Sequence, residues 1–306
     1  MKCAGVVVTY NRKDDLLKNI ESVKNQSRKF DRFYIIDNCS TDGTYDFLIE
    51  KKCLATEWIK YIRLPQNIGG AGGFYVGLKS AYEEGYDFII MMDDDGRPAN
   101  TETFSQLIEH AEKLYNDKKM LMLNSLVVCD DEKEQLSFGI SIMSKASEVV
   151  NNSDGGLVYG YINPFNGTLI TRELVEKIGF PNKDFFIRGD EVDYQSRAKK
   201  ANALIATVVN SIYYHPTAEL LPVKWRGRII HVGICSPWKG YYLVRNYVYR
   251  IKRDEGIIPA IKQFVFQVYI TKKCNPQANE CMKLLFKGFC DGMRGKLGMR
   301  VRPGEK

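Results

Sequence analysis

Phe88-Ile89-Ile90-Met91-Met92 runs directly into Asp93-Asp94-Asp95-Gly96, and few folds accommodate that junction. An apolar run without alternation is a strand buried on both faces, the habit of parallel sheets. Each such side chain stabilises a fold by ~1.5–3 kcal/mol when buried. The run is therefore held inside, and the carboxylates are delivered to its C-terminal edge, where open α/β sheets bind ligands. Three adjacent carboxylates repel one another, and a hard divalent cation with a phosphate partner relieves that repulsion. A solvated acidic turn is the plain alternative; the apolar strand feeding the acids weighs against it.

The rest of the chain supports a sheet of this kind. β-Branched residues at 3–10 form a first strand, and Leu16, Leu17, Ile20 and Val23 then mark one face of a helix. Further strands are expected at 33–37, 58–64, 120–129 and 203–214, and helices at 74–84, 103–115 and 192–200. Thr171 caps another helix that Gly179 closes. Strands alternating with helices indicate a mostly parallel, Rossmann-like central sheet flanked by helices. Beyond residue 220 the composition shifts to Lys, Arg, Tyr and Trp, with amphipathic helices at 241–250 and 257–269. The expected organisation is a catalytic domain over residues 1–220 and a basic, aromatic helical extension over 221–306.

Charge follows the same division. Residues 221–306 hold 18 Lys and Arg against 5 Asp and Glu, and the first 220 hold 26 against 32. A basic tail on an acidic body favours an anionic surface such as phospholipid, a pyrophosphate lipid or nucleic acid. No recognisable nucleic-acid module accompanies the tail. The 8 cysteines are scattered without a CxxC, which indicates reduced thiols and a cytoplasmic setting rather than a disulfide framework or zinc site. No stretch is long and apolar enough for a membrane-spanning helix.

Several chemical motifs are excluded by spacing. Gly69-Gly70-Ala71-Gly72-Gly73 fits neither GxGxxG nor a P-loop, although small residues at a helix N-terminus allow close approach of an anion. An EF-hand would put Met91 at its first ligand position. Asp93 and Asp95 form a DxD pair instead, suited to Mg2+ or Mn2+ with open positions for a diphosphate. Asp190, Glu191 and Asp193 make a second acidic cluster at a helix start. One of them is a candidate base for an attacking hydroxyl, and helix-dipole complementarity accounts for one acid better than for three. His215 ends a strand and is either structural or a third metal ligand.

In order along the chain stand VVVTYNR, IIDNCSTDGT, NIGGAGG, MMDDDG, FNGTLI, FIRGDEVDY, YYHP and YYLVRN. This ordered set, over about residues 3 to 250, resembles inverting family 2 glycosyltransferases of the GT-A fold. Among these it is most similar to bacterial galactofuranosyltransferases and related rhamnosyltransferases. The resemblance implies that Thr9, Asn11 and Arg12 line the nucleotide pocket, and that Asp37, with Asn38 beside it, binds the uracil or thymine ring. Asn67, Gly69, Gly70, Gly72 and Gly73 would shape the donor pocket. Of the DxD, Asp95 would be the foremost metal ligand with Asp93 beside it, and Asp93 or Asp94 would stand nearer the ribose and sugar. His215 would complete the metal site, and Asn166 with Gly167 would form the wall beside the acceptor.

Glu191 takes the position of the family's catalytic base, where an Asp is usual; Asp190 is its rival and Asp193 a weaker one. The donor implied is a nucleotide sugar, UDP-galactofuranose ahead of dTDP-rhamnose. The acceptor would be a glycan or lipid-linked glycan at the inner face of the cell membrane, and nucleic acid is not an expected partner. A non-catalytic sugar-nucleotide or glycan-binding protein is the remaining alternative. A nucleotidyltransferase would carry a glycine-rich loop after the first strand, where TYNRKDD stands.

Overall fold

The computed structural model describes residues 1–140, 143–217, 220–225, 227–302 and 304. The chain divides into two compact units, Met1–Pro181 with Tyr194–Thr217, and Asn182–Asp193 with Ala218–Lys306. The short segment carrying Asp190 and Glu191 belongs to the second of these units, the C-terminal one.

The first unit opens with β1 (Cys3–Thr9), α1 (Lys13–Lys24), β2 (Arg32–Asp37), α2 (Thr44–Glu50), β3 (Ile59–Arg63), α3 (Gly69–Glu83) and β4 (Phe88–Asp93). After the aspartates come β5 (Arg97–Pro98), α4 (Thr103–Tyr115), β6 (Leu121–Val128), β7 (Gln135–Ile140), β8 (Met143–Lys145), α5 (Ala146–Asn151) and β9 (Leu157–Tyr159). The unit is completed by β10 (Asn166–Thr171), α6 (Arg172–Ile178), the later part of α7 (Asp190–Lys200) and β11 (Leu204–Tyr214). The main sheet runs β3-β2-β1-β4-β10-β6-β11-β5. β1 pairs in parallel with both β2 and β4, and β11 in parallel with β6, while β10 is antiparallel to β4 and β6.

Alternation along these strands makes two cores. Val7, Ile35, Ile90 and Met92 face α1 and α4 with Leu16, Ile20, Phe104 and Leu107. Val6, Val8, Ile36, Ile89 and Met91 face α3 and α6 with Phe74, Leu78 and Leu174. Burial on both faces explains why the sequence of β1 and β4 reads as an unbroken apolar run.

The glycine run is helical. α3 starts at Gly69, five residues before the expected start at Phe74, so these glycines form the first turns of the helix rather than a loop ahead of it. A Cβ on Gly73 would stand 2.4 Å from Val8 Cγ1, and one on Gly77 2.3 Å from Val6 Cγ1. Close seating of α3 on β1 therefore accounts for both; Gly70 has open space around it.

The C-terminal unit contains a hairpin, β12 (Leu220–Trp225) against β13 (Arg228–Gly233), and three helices, α8 (Pro237–Asp254), α9 (Ile257–Cys274) and α10 (Ala278–Arg294). Gly288 and Gly292 let α10 touch α8 backbone to backbone: their Cβ atoms would lie 2.6 Å from the Tyr241 carbonyl oxygen and 2.5 Å from that of Arg245. Val244, Val248, Ile251, Ala260 and Leu285 fill the space between the helices.

Candidate functional site

The C-terminal ends of β1, β2 and β4 converge as the parallel pairing requires, with Thr9 beside Asp37 and Val8 beside Asp93 in register. Thr9 Oγ1 donates to Asp94 Oδ2 at 2.8 Å, and Arg12 reaches Asp94 Oδ1 at 3.2 Å and also pairs with Asp95. The turn after β4 is tight. A Cβ on Gly96 would meet the Tyr213 ring at 2.4 Å, and Asn19 Nδ2 donates to the Gly96 carbonyl at 2.7 Å.

Asp93, Asp95 and His215 each place one ligand atom within 4.8 Å of the others. His215 arrives there because its backbone N–H donates to Val128 O at the end of β6. Its Nδ1 lies 2.6 Å from the Pro216 carbonyl oxygen, so that nitrogen carries the proton and Nε2 faces the acids. Nε2 stands 3.3 Å from Asp95 Oδ1. A lone pair facing a carboxylate at that distance needs a proton or a cation between them. Two carboxylates and an imidazole with its second nitrogen tied to a carbonyl suit a divalent cation such as Mn2+ or Mg2+.

The electrostatics divide the three aspartates. Burial works against ionisation of Asp95, but the His215 hydrogen bond and charge, together with Arg12, bring its carboxyl down to about 2. Asp94 is 6% exposed, and its burial outweighs Arg12, raising it to about 6. Burial disfavours the charged form of His215, yet Asp95 and Asp93 raise it above the ordinary imidazole value. The Tyr213 hydroxyl is buried without a hydrogen-bond partner among the described residues, and burial and then the three aspartates push its ionisation far upward. Sequence analysis gives this tyrosine no role, although it opens the YYHP motif; Gly96 and Gly167 make room for its ring.

Several residues expected to line the donor pocket are engaged in hydrogen bonds within the fold. Asp37 is 1% exposed; its Oδ1 accepts from Ser40 N at 2.8 Å and its Oδ2 from the Tyr61 hydroxyl. Arg63 stands 3.9 Å from the same Oδ2. Tyr61 and Arg63 were also missed, although two-residue spacing on β3 places them on one face. Asn38 Oδ1 accepts from Ile68 N at 2.9 Å and Asn67 Oδ1 from Gly69 N at 2.8 Å, so both asparagines shape the entry into α3. Asn11, at φ 55°, accepts from Thr41 N at 2.7 Å and joins the β1 and β2 loops. Beside them lies a small polar pocket lined by Ser40, Thr41, Thr44, Tyr45, Asp46 and Arg63. Asn166 is buried at the start of β10, its Oδ1 without a hydrogen-bond partner among the described residues, and Gly167 follows at φ +67°.

In the C-terminal unit, Asp190 is buried and Glu191 half-buried at the start of α7. Asp193, 1% exposed, forms an ion pair with Arg253 at 2.8 Å. That pair gives Asp193 a structural partner on α8 and separates it from the two acids before it.

Residues 6–125 match the model of the glycosyl transferase family 2. The chain is 32% identical over 260 residues to a galactofuranosyltransferase of Mycolicibacterium smegmatis, covering 82% of this chain and 83% of that protein. It is 24% identical over 303 residues to a dTDP-rhamnosyl transferase of Shigella flexneri, covering 96% of each. The crystal structure of GalNAc-T7 with UDP, GalNAc and Mn2+ aligns with a TM-score of 0.62 at 13% identity, over 97% of this chain and 56% of that one. The ordered motifs, the parallel sheet edge with its acidic turn, and these relatives together establish the chain as a glycosyltransferase of family 2 with a GT-A fold.

Proposed function

We propose that this enzyme transfers galactofuranose from UDP-galactofuranose to a hydroxyl of a bacterial surface glycan, with inversion at the anomeric carbon and with Mn2+ or Mg2+ bound. The observation that carries the metal is His215 Nε2 facing Asp95 at 3.3 Å while Nδ1 is committed to Pro216. Asp93, Asp95 and His215 would hold the cation, which supplies positive charge against the leaving diphosphate. Arg12, carrying its charge beside the same acids, is the protein's own cation for the diphosphate. The polar pocket beside Asp37, with Tyr45 and Arg63 in its wall, is assigned to the nucleoside. Galactofuranose is preferred because the similarity to the mycobacterial enzyme is higher, while end-to-end similarity to the Shigella enzyme makes dTDP-rhamnose the second reading.

Glu191 is assigned as the base. It accepts the proton of the acceptor hydroxyl, whose oxygen attacks the anomeric carbon opposite the departing diphosphate. Glutamate is one methylene longer than the aspartate usual here, and the more deeply buried Asp190 is its rival. A transfer assay with UDP-galactofuranose and an alkyl oligosaccharide acceptor tests the assignment. Glu191→Gln should keep donor binding and lose at least 100-fold in transfer rate, of the order general bases contribute; retained transfer moves the role to Asp190.

The C-terminal unit is assigned to an anionic membrane surface. Ile229, Ile257, Ile258, Val265 and Phe286 are exposed on it, amid the 18 basic residues of 221–306. Exposed apolar side chains on a strongly basic segment suit the headgroup boundary. Among the described residues no helix is long and apolar enough to cross a membrane.

A further inference from the structure

The loop ahead of Glu191 adopts backbone angles that most residues avoid. Phe186 sits at φ 66° and ψ −71°, and the Ile187 N–H donates to the Phe185 carbonyl at 2.8 Å. These are the marks of a γ-turn of the rare, strained, positive-φ kind. Arg188 at φ 64° and Gly189 at φ 86° follow, and then Asp190 begins α7. Strained backbone persists only where its surroundings over-determine it, and it collects at functional sites.

What over-determines it is one pair of α8 residues, both fully buried. Asn246 Nδ2 lies 3.0 Å from the Phe185 carbonyl oxygen, 2.9 Å from that of Ile187 and 2.6 Å from that of Arg188. Arg245 donates from one terminal nitrogen to Phe185 O at 2.7 Å and Asp184 O at 3.2 Å. Its Nε donates to Asn246 Oδ1 at 2.8 Å, which orients the amide so that its hydrogens meet the loop. A second tie holds the other side of the acids, where Asp193 pairs with Arg253. Burying a guanidinium against backbone carbonyls is a costly way to anchor a loop that only connects two elements.

We propose that Arg245 and Asn246 are positioning residues for the transfer reaction: they lock the strained 185–189 loop and so fix the direction in which the start of α7 presents Glu191. This rests on Glu191 being the base. Neither residue needs to touch either substrate. The Arg-Asn end of the YYLVRN motif thereby acquires a role that its apolar, aromatic neighbours do not share.

Asn246→Asp keeps the side-chain shape and replaces the donor by an oxygen facing three carbonyls. In the full-length protein it should lower kcat at least tenfold, while KM for the nucleotide sugar stays within twofold and the melting-temperature rise with UDP and Mn2+ is retained. Asn246→Ser, which keeps one donor, should fall between the variant and the wild type. Wild-type kcat in a folded Asn246→Asp protein, or a loss appearing as an equal rise in KM, would overturn the proposal. Should these variants not fold, hydrogen exchange in the wild type decides: the Ile187 and Asp193 amides should exchange as slowly as the core of α8, and rapid exchange would show that the loop is not locked. A wild type that transfers no sugar would instead refute the assigned reaction, and the exchange result would stand apart from it.

Discussion

At the scale of single residues, the acids were legible because an apolar strand has one place to end. The same logic found His215 at the end of β11. Sequence could not show that His215 gives Nδ1 to the Pro216 carbonyl, because rotamer and tautomer are set by a backbone neighbour, not by residue order. Nor could it show that Asp37, expected at the nucleobase, is already held by Ser40 and Tyr61, since β3 meets β2 only through the sheet. Two predictions belong here. Asp95→Asn and His215→Ala should each weaken Mn2+ binding at least tenfold in a calorimetric titration while leaving the thermal unfolding midpoint without metal within a few degrees. Wild-type Mn2+ affinity in both would remove the metal site.

At the scale of elements, the parallel strands were readable from their unbroken apolar runs, and α1 and α4 from one-sided periodicity. β10 was not read as a strand. Its residues, Asn166 to Thr171, include a glycine and two threonines, and its antiparallel place between β4 and β6 is a long-range choice. The β12–β13 hairpin and α10 were also missed. In α10 the glycines that mark its contact with α8 lower its local helix propensity. Glycine also hides the start of α3, which the sequence places at Phe74 and the structure at Gly69. Gly73→Ala should cost about 1–3 kcal/mol through overpacking against Val8, measurable by denaturant unfolding. Lys52 offers the opposite case. It sits at φ 55° after α2, with Lys52 N bonded to Ile49 O and Cys53 N to Leu48 O, the hydrogen bonds of a helix end that favours glycine. Lys52→Gly should stabilise by about 0.5–1 kcal/mol, as the relief of a left-handed residue outweighs the added freedom of the unfolded chain.

At the scale of the whole molecule, charge is unevenly spread, 26 Lys and Arg against 32 Asp and Glu in residues 1–220 and 18 against 5 in 221–306, and the chain divides into two compact units. Residues 182–193 belong to the second unit through packing with Arg245, Asn246 and Arg253, more than fifty residues downstream, which no local composition shows. Flotation with vesicles containing anionic phosphatidylglycerol should carry the protein upward at low salt and release it as salt screens the basic residues; equal behaviour with neutral vesicles would remove the membrane assignment. A metal-dependent site for a nucleoside diphosphate is tested by thermal unfolding with UDP, dTDP or GDP, each with and without Mn2+. A ligand at 100-fold excess over its Kd stabilises the folded state by ~2.7 kcal/mol. The expected result is a rise in the unfolding temperature with UDP that requires Mn2+ and disappears in Asp95→Asn. No rise with any of the three nucleotides would contradict it.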